Sequence, residues 1–313
     1  MRLKIDKIVY PGRRLGLLDG KVVFTDLGLP GETVEIEITK DKKTFAEART
    51  VAVVEPSAAR VEPRCGHSLA CSPYQDMDYG LELEVKRGQV AEILARELRL
   101  DRPAPEIVPS PEIWGYRNQI RLRVRREEDG AVRFVYNEPG ERTSFVTVDR
   151  CHLVPDRVNE ILERVRGIVA GGPFPSVEGV EVRTSRSRGE SLLALDLASG
   201  AETAPLAEAL KGLKRELGLV GAVAAVDDGE RRRDQALFGR DHIEESVGGL
   251  TFRIGVRSFF QANAGILERV LDDVAAAAAA QAGETVADLY CGLGVFGIRL
   301  ARGAREVFGV ESD

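Results

Sequence analysis

The period at which hydrophobic and polar positions alternate changes several times along the chain, and each change marks a different element. Residues 1–56 alternate apolar and polar side chains in short runs broken by glycine: Lys4 to Val9, Lys21 to Phe24, Thr33 to Ile38 and Ala46 to Val54. Several short strands with glycine turns predict a small β-barrel. From Asp78 to Leu98 the period lengthens to that of a helix, with Leu83, Val90, Ile93 and Leu94 expected on its apolar face. Pro103, Pro105, Pro109 and Pro111 then break the chain. Between Trp114 and Gly255 strand and helix periods mix. There the run from Arg117 to Arg125 alternates at period two, placing Arg121, Arg123 and Arg125 on one sheet face and Leu122 and Val124 on the other. Beyond Ser258 a helical face of Ile266, Leu267, Val270, Leu271 and Val274 is expected, running through alanines to a stop at Gly283, with Gln261 and Asn263 before it as candidate caps. Near the end, Val286 to Tyr290 has strand length, Gly292, Gly294 and Gly297 turn the chain, Phe296 to Ala301 resumes helical spacing, and Glu311 ends a second strand.

These periods predict an α/β multidomain chain: a small β-barrel over 1–56, a cysteine loop with a helix and proline-rich link over 57–110, a central α+β domain over 111–255, and the incomplete start of a Rossmann-like domain over 256–313. Composition narrows the class. With 313 residues, 43% hydrophobic and 30% charged, the chain reads as an ordinary globular protein. It has no apolar run long enough to span a bilayer, and Met1 to Asp6 opens with charges, so neither anchor nor leader is expected and the cytoplasm is the expected location. Four cysteines in a chain this long suggest packing, redox or metal roles rather than a disulfide framework.

A net charge of −6 argues against indiscriminate nucleic-acid binding, so any RNA contact must come from local basic patches. Candidates are Arg13, Arg14, Lys40, Lys42 and Lys43 in the first segment, and Arg117, Arg121, Arg123 and Arg125 in the central one. The basic loops Arg183 to Arg188 and Arg231 to Arg233 invite the same reading. Each equally reads as a solvated charged face, with Glu127, Glu128 and Asp129 placed to neutralise the central run.

The C-terminal glycines carry the candidate chemistry. A glycine-rich turn between strand and helix lets backbone N–H groups approach an anion, and an acid ending the next strand can accept hydrogen bonds from ribose hydroxyls. Gly292, Gly294 and Glu311 stand at such positions, which suit a dinucleotide or S-adenosylmethionine equally.

Several separated motifs together resemble one family, the S-adenosylmethionine-dependent RNA uracil-5 methyltransferases. They are the segment from Gly12 to Glu32, similar to the TRAM module and implying an OB-like barrel; Cys65-x5-Cys71 with the helix carrying Tyr79 and Lys86; Gly115-Tyr116-Arg117-Asn118; Cys151; Ser258-Phe259-Phe260-Gln261-Ala262-Asn263; and Asp288-Leu289-Tyr290-Cys291-Gly292-Leu293-Gly294. The resemblance covers nearly the whole chain. It implies S-adenosylmethionine as cofactor, with Gln261, Tyr290, Val295 and Glu311 at cofactor-contacting positions, and a uridine of ribosomal or transfer RNA as substrate, bound by a monomer away from any membrane. In the family a cysteine thiolate adds to C6 of the uracil, C5 takes the methyl group, and a carboxylate base removes the C5 proton. By resemblance both groups would lie beyond Asp313, so this chain is expected to be truncated, with no catalytic residue of its own and no methyl transfer. The alternatives are a non-catalytic RNA-binding protein or gene remnant, and a nicotinamide or flavin enzyme. Many relatives also hold a four-iron four-sulfur cluster on positions that correspond to Cys65, Cys71, Tyr74 and Cys151. The tyrosine leaves the thiolate set incomplete unless another group such as His67 or His152 joins it; otherwise the cysteines are packed thiols.

Overall fold

In a computed structural model the chain is described over residues 1–100, 102–139, 143–227 and 232–312. It forms two compact units, one of residues 1–109 with 137–146 and the other of 110–136 with 147–313.

The first unit opens with six strands: β1 (Arg2–Lys4), β2 (Lys7–Val9), β3 (Arg13–Leu18), β4 (Lys21–Thr25), β5 (Thr33–Asp41) and β6 (Phe45–Glu55), in the order β1-β5-β6-β4-β3-β2. The sheet curls on itself because β1 pairs with β5 at one edge, while the Asp6 amide, just beyond β1, donates to Leu15 O at the other. Closure is tight: a Cβ at Gly16 would collide with the Lys4 carbonyl oxygen. Leu3, Ile5, Val23, Val34, Ile36 and Ala46 fill the interior. The expected strand from Lys4 to Val9 is split at Ile5–Asp6, and β3 emerges from a stretch whose paired glycines had hidden its alternation.

After a one-turn helix α1 (Ser68–Cys71) comes α2 (Tyr79–Leu98), capped by the Asp78 carboxylate, which accepts from Leu81 N. Its buried face differs from the expected one. Leu81 and Val85 pack on Ile8, Leu29 and Met77, and Gln89 one turn later is buried with its amide donating to Ile8 O at 2.9 Å. Val90 and Ile93 stay 43% and 41% exposed. A buried glutamine satisfied by the β2 backbone sets this orientation, and hydrophobicity alone does not reveal it.

A second sheet has seven strands, ordered β13-β12-β11-β10-β7-β8-β9. Its strands are β7 (Gln119–Arg126), β8 (Val132–Asn137), β9 (Phe145–Thr147), β10 (Val177–Thr184), β11 (Ser191–Leu197), β12 (Leu219–Asp227) and β13 (Arg232–Gly239). Two helices belong to it, α3 (Asp156–Gly171) between β9 and β10 and α4 (Ala204–Glu216) between β11 and β12, the latter joining the sheet's parallel pair. A hairpin of β14 (His242–Val247) and β15 (Leu250–Gly255) leads to α5 (Ala264–Ala278). The chain ends in β16 (Thr285–Leu289), α6 (Val295–Leu300) and β17 (Glu306–Val310), with β16 and β17 parallel. The α5 helix stops at Ala279, which takes a left-handed φ of 45°, four residues before the glycine expected to end it. One core runs from Leu192, Ala194 and Val223 of the sheet through Ile243, Phe252 and Phe260 to Leu267, Leu271 and Val295. The segments expected to divide at residue 255 therefore share a single interior. No helix among the described residues is long and apolar enough to cross a membrane.

Candidate cofactor site and nucleic-acid surface

The strand–loop–helix–strand order expected at the C-terminus is present as β16, the loop 290–294, α6 and β17. Parallel pairing aligns Asp288 with Gly309 and Leu289 with Val310, so the loop leaves β16 beside the end of β17. Two carboxylates hold it there. Asp288 Oδ2 accepts from Gly297 N at 2.8 Å, pinning α6 to its preceding strand, and Glu311 Oε2 accepts from Gly292 N at 2.7 Å. Gly292 and Gly294 take φ values of +53° and +72°, and a Cβ built on Gly292 would meet nothing within 4 Å. The backbone thus turns sharply while the space beyond Gly292 stays open. Tyr290, also left-handed at φ 58°, is 86% exposed beside it. Cys291 points elsewhere: a Cβ on Gly309 would approach its Sγ to 3.0 Å, and Val295 beyond it is buried in the core. The Gly292 and Gly294 amides themselves donate to Glu311 and to Cys291 O, so what the turn offers a ligand is close approach to its backbone, with Glu311 beside it as an acceptor for a vicinal diol.

Gln261 lies just before α5, and the chain from Val256 to Asn263 is gripped from the sheet. Asn118 Nδ2 donates to Gln261 O at 2.9 Å and Asn118 N to Ala262 O at 3.1 Å, while Arg117 bridges Asn263. Asn263 is a cap, its side chain accepting from Gly265 N. The Gly115–Asn118 and Ser258–Asn263 motifs, 143 positions apart at Asn118 and Gln261, are thereby brought together. Arg183 completes the grip and corrects the reading of its segment as a basic loop. It is buried, donating from Nε to Val256 O at 3.1 Å and from Nη2 to Ser258 O at 2.6 Å and Gln119 Oε1 at 2.7 Å. Burial lowers its pKa to about 10, so it still carries its charge at neutral pH.

The basic candidates divide. Arg121, Arg123 and Arg125 are exposed on one face of β7, as the alternation implies. Arg121 pairs with Asp196 at 3.1 Å and lies 3.8 Å from Glu181, while Glu127 pairs instead with Arg133 at 3.6 Å. Arg257, unmarked by any motif, joins that cluster through Asp196 at 2.8 Å and Asp234 at 2.9 Å. Burial pushes the Glu181 carboxyl above its ordinary range despite the hydrogen bond from Gln119 and the nearby Arg257 and Arg121. Arg186 is tied to Glu112. Arg231 lies outside the described residues. In the first unit Arg13 is exposed, but the RNA-contact expectation for Arg14 is overturned. Arg14 is 0% exposed, donating to Gly28 O at 3.2 Å, Pro73 O at 2.7 Å and Asp76 Oδ1 at 2.7 Å, because alternation along β3 turns it inward with Gly16.

Cys65 and Cys71 belong to the first unit and Cys151 to the second, and no group of three or more His, Cys, Asp or Glu among the described residues is arranged to hold a metal ion. Cys65 Sγ donates to Gln75 Oε1 at 3.3 Å, Cys151 is buried, and Tyr74, at the would-be third ligand position, donates its hydroxyl to Gln89. A four-thiolate cluster does not fit these residues.

Comparison with known proteins agrees with this architecture. A TRAM domain model matches residues 1–51. An RNA methyltransferase of Thermosynechococcus vestitus is 28% identical over 99% of this chain, which spans 72% of that protein, and one of Listeria monocytogenes is 28% identical over the same shares. The crystal structure of Pyrococcus abyssi tRNA (uracil-54, C5)-methyltransferase with S-adenosyl-L-homocysteine superposes with a TM-score of 0.73 at 23% identity, over 100% of this chain and 74% of that one. The chain thus carries a TRAM domain, shares the fold of that methyltransferase and is similar over nearly its whole length to proteins named RNA methyltransferases, in line with the family that its motifs resemble.

Proposed function

We propose that this chain serves methyl transfer from S-adenosylmethionine to C5 of a uridine in ribosomal or transfer RNA, as a cytoplasmic monomer. The observation that carries the reading is the Glu311 carboxylate held 2.7 Å from Gly292 N, which sets a diol acceptor beside an open glycine turn between parallel strands. The open turn at Gly292 and Gly294 would let the methionine end of the cofactor come close to the backbone, with Glu311 at the ribose hydroxyls and Gln261, Tyr290 and Val295 at the rest of the cofactor. When bound, the cofactor supplies an electrophilic methyl group on a sulfonium centre. Arg13, Arg117, Arg121, Arg123 and Arg125 are assigned to the RNA backbone. The reading gives Cys291 no nucleophilic role, since its sulfur packs on Gly309.

Titration calorimetry with S-adenosylmethionine and with NAD tests the proposal. Binding of the former alone is expected, weakened roughly 10- to 100-fold by Glu311→Ala, the loss of charge-assisted hydrogen bonds. Preference for the dinucleotide would overturn it.

A further inference from the structure

Beside the arginines of β7 lies a titratable group that the cofactor site does not use. Glu181 of β10 is paired in register with Arg121 of β7, yet the two side chains stand in different surroundings: Glu181 is 3% exposed and the side chain of Arg121 57%. A phosphate can approach the cation from solvent, whereas water barely reaches the acid.

Every element packed around Glu181 contributes a group. β7 supplies Arg121, 3.8 Å from the carboxylate, and the neutral Gln119 amide, which donates to it. β10 itself supplies Arg183, whose Nη2 donates to Gln119 Oε1. The segment after β15 supplies Arg257 at 3.7 Å. β11 supplies Asp196, which takes Arg121 at 3.1 Å and Arg257 at 2.8 Å, and β13 supplies Asp234, 2.9 Å from Arg257. The seat of Asp196 is made by Gly179, where a Cβ would stand 2.6 Å from Asp196 Oδ2, so β10 gives up a side chain to bring this second acid within reach of Arg121.

Among these groups, ionised Glu181 makes three carboxylates against three guanidinium groups, and the cluster is neutral; protonated Glu181 leaves it with one net positive charge. Arg121 and Arg257 both stand beyond hydrogen-bonding distance of Glu181, so they offset its burial only in part, and its carboxyl is pushed above the ordinary range. A phosphate arriving at Arg121 competes with an ionised acid in the next strand and favours the proton that neutralises it.

We propose that Glu181 is a proton-controlled mask on the arginine face of β7: ionised, it neutralises Arg121 and withholds it from RNA phosphate, and protonated, it releases it. The inference rests on the RNA reading of that face and adds its regulation. Binding then takes up a proton, so affinity is greatest below the folded pKa of Glu181, falls as pH rises through it and is level above it.

The test is fluorescence anisotropy of the full chain with a labelled oligouridine of about 12 nucleotides, at constant salt, near about pH 5 and about pH 8, between which the uracil base does not titrate. Glu181→Gln carries the neutral form at every pH, and histidine ionisation, common to both proteins, cancels in the comparison. Glu181→Gln is expected to bind roughly 3- to 10-fold more tightly than the parent near pH 8 and equally near pH 5. It should also lose the proton uptake that calorimetry in buffers of different ionisation enthalpy finds for the parent between those values. In an Arg121→Gln background the substitution should change nothing, because the masked cation is gone. A side chain that only supported the fold would not produce a gain confined to high pH and dependent on Arg121; urea unfolding checks that each variant is folded. Equal affinity of parent and Glu181→Gln near pH 8 would overturn the mask and leave the RNA reading standing. So would a gain that persists near pH 5 or without Arg121. A parent chain that holds no oligouridine at either pH would remove the RNA reading and the mask with it.

Discussion

Two buried carboxylates, Glu32 and Glu181, respond to folding in opposite senses. Glu32 is 1% exposed; burial pushes its carboxyl up, but hydrogen bonds from Arg60 and from the Ser57 and Leu29 amides outweigh this and hold its pKa below 4.5. Its contribution is therefore full above the unfolded value and is lost as pH falls through the folded one. Glu32→Gln is expected to cost about 1–3 kcal/mol in urea unfolding at pH 7, a difference that shrinks as pH falls through the lowered folded value. Glu181 is raised, chiefly by burial, so the fold favours its neutral form and loses stability as pH rises through the folded value. Glu181→Gln keeps an acceptor for Gln119, and the same measurement should find it neutral near pH 5 and no worse than the parent, or more stable, near pH 8. Neither behaviour is legible in the sequence, because it depends on partners as remote as Arg60 and Arg257. The same holds for Arg14: its charge is visible in the chain, but Asp76, 62 positions away, is what lets it be buried.

Among elements, those with strict alternation were the most legible. β7 shows its arginines outward as its period requires, and the β16–α6–β17 order follows its glycines. The helix α2 was legible in its bounds but not in its buried face, where a glutamine outcompetes two apolar residues for the interior. The distinction is measurable. Leu81→Ala should cost about 1–2 kcal/mol through lost contact with Ile8, Leu29 and Met77, whereas Ile93→Glu, on the exposed side, should stay within about 0.5 kcal/mol; chemical denaturation of each variant checks the order.

For the molecule as a whole, the fold class and the family resemblance were legible because each rests on local pattern or motif. The boundaries were not, because they depend on which interiors merge. A chain break at residue 56 would strip Arg14 of Asp76 and the Pro73 carbonyl, and Glu32 of the Arg60 guanidinium. Leaving a buried charge without its partner costs several kcal/mol, close to the whole stability of so small a sheet. A fragment of residues 1–56 is accordingly expected to show no cooperative melt by circular dichroism, and extension through Leu100 to restore one.

The grip of Asn118 on the segment before α5 has a mechanical corollary. Asn118 adjoins β7, and Arg121 follows three residues later on the same strand, so on the proposed reading one short rod of backbone would bear both the polyanion's load and the seat of Gln261. If filling one site stiffens that rod for the other, the symmetry of thermodynamic linkage requires the gain to be the same factor in both directions.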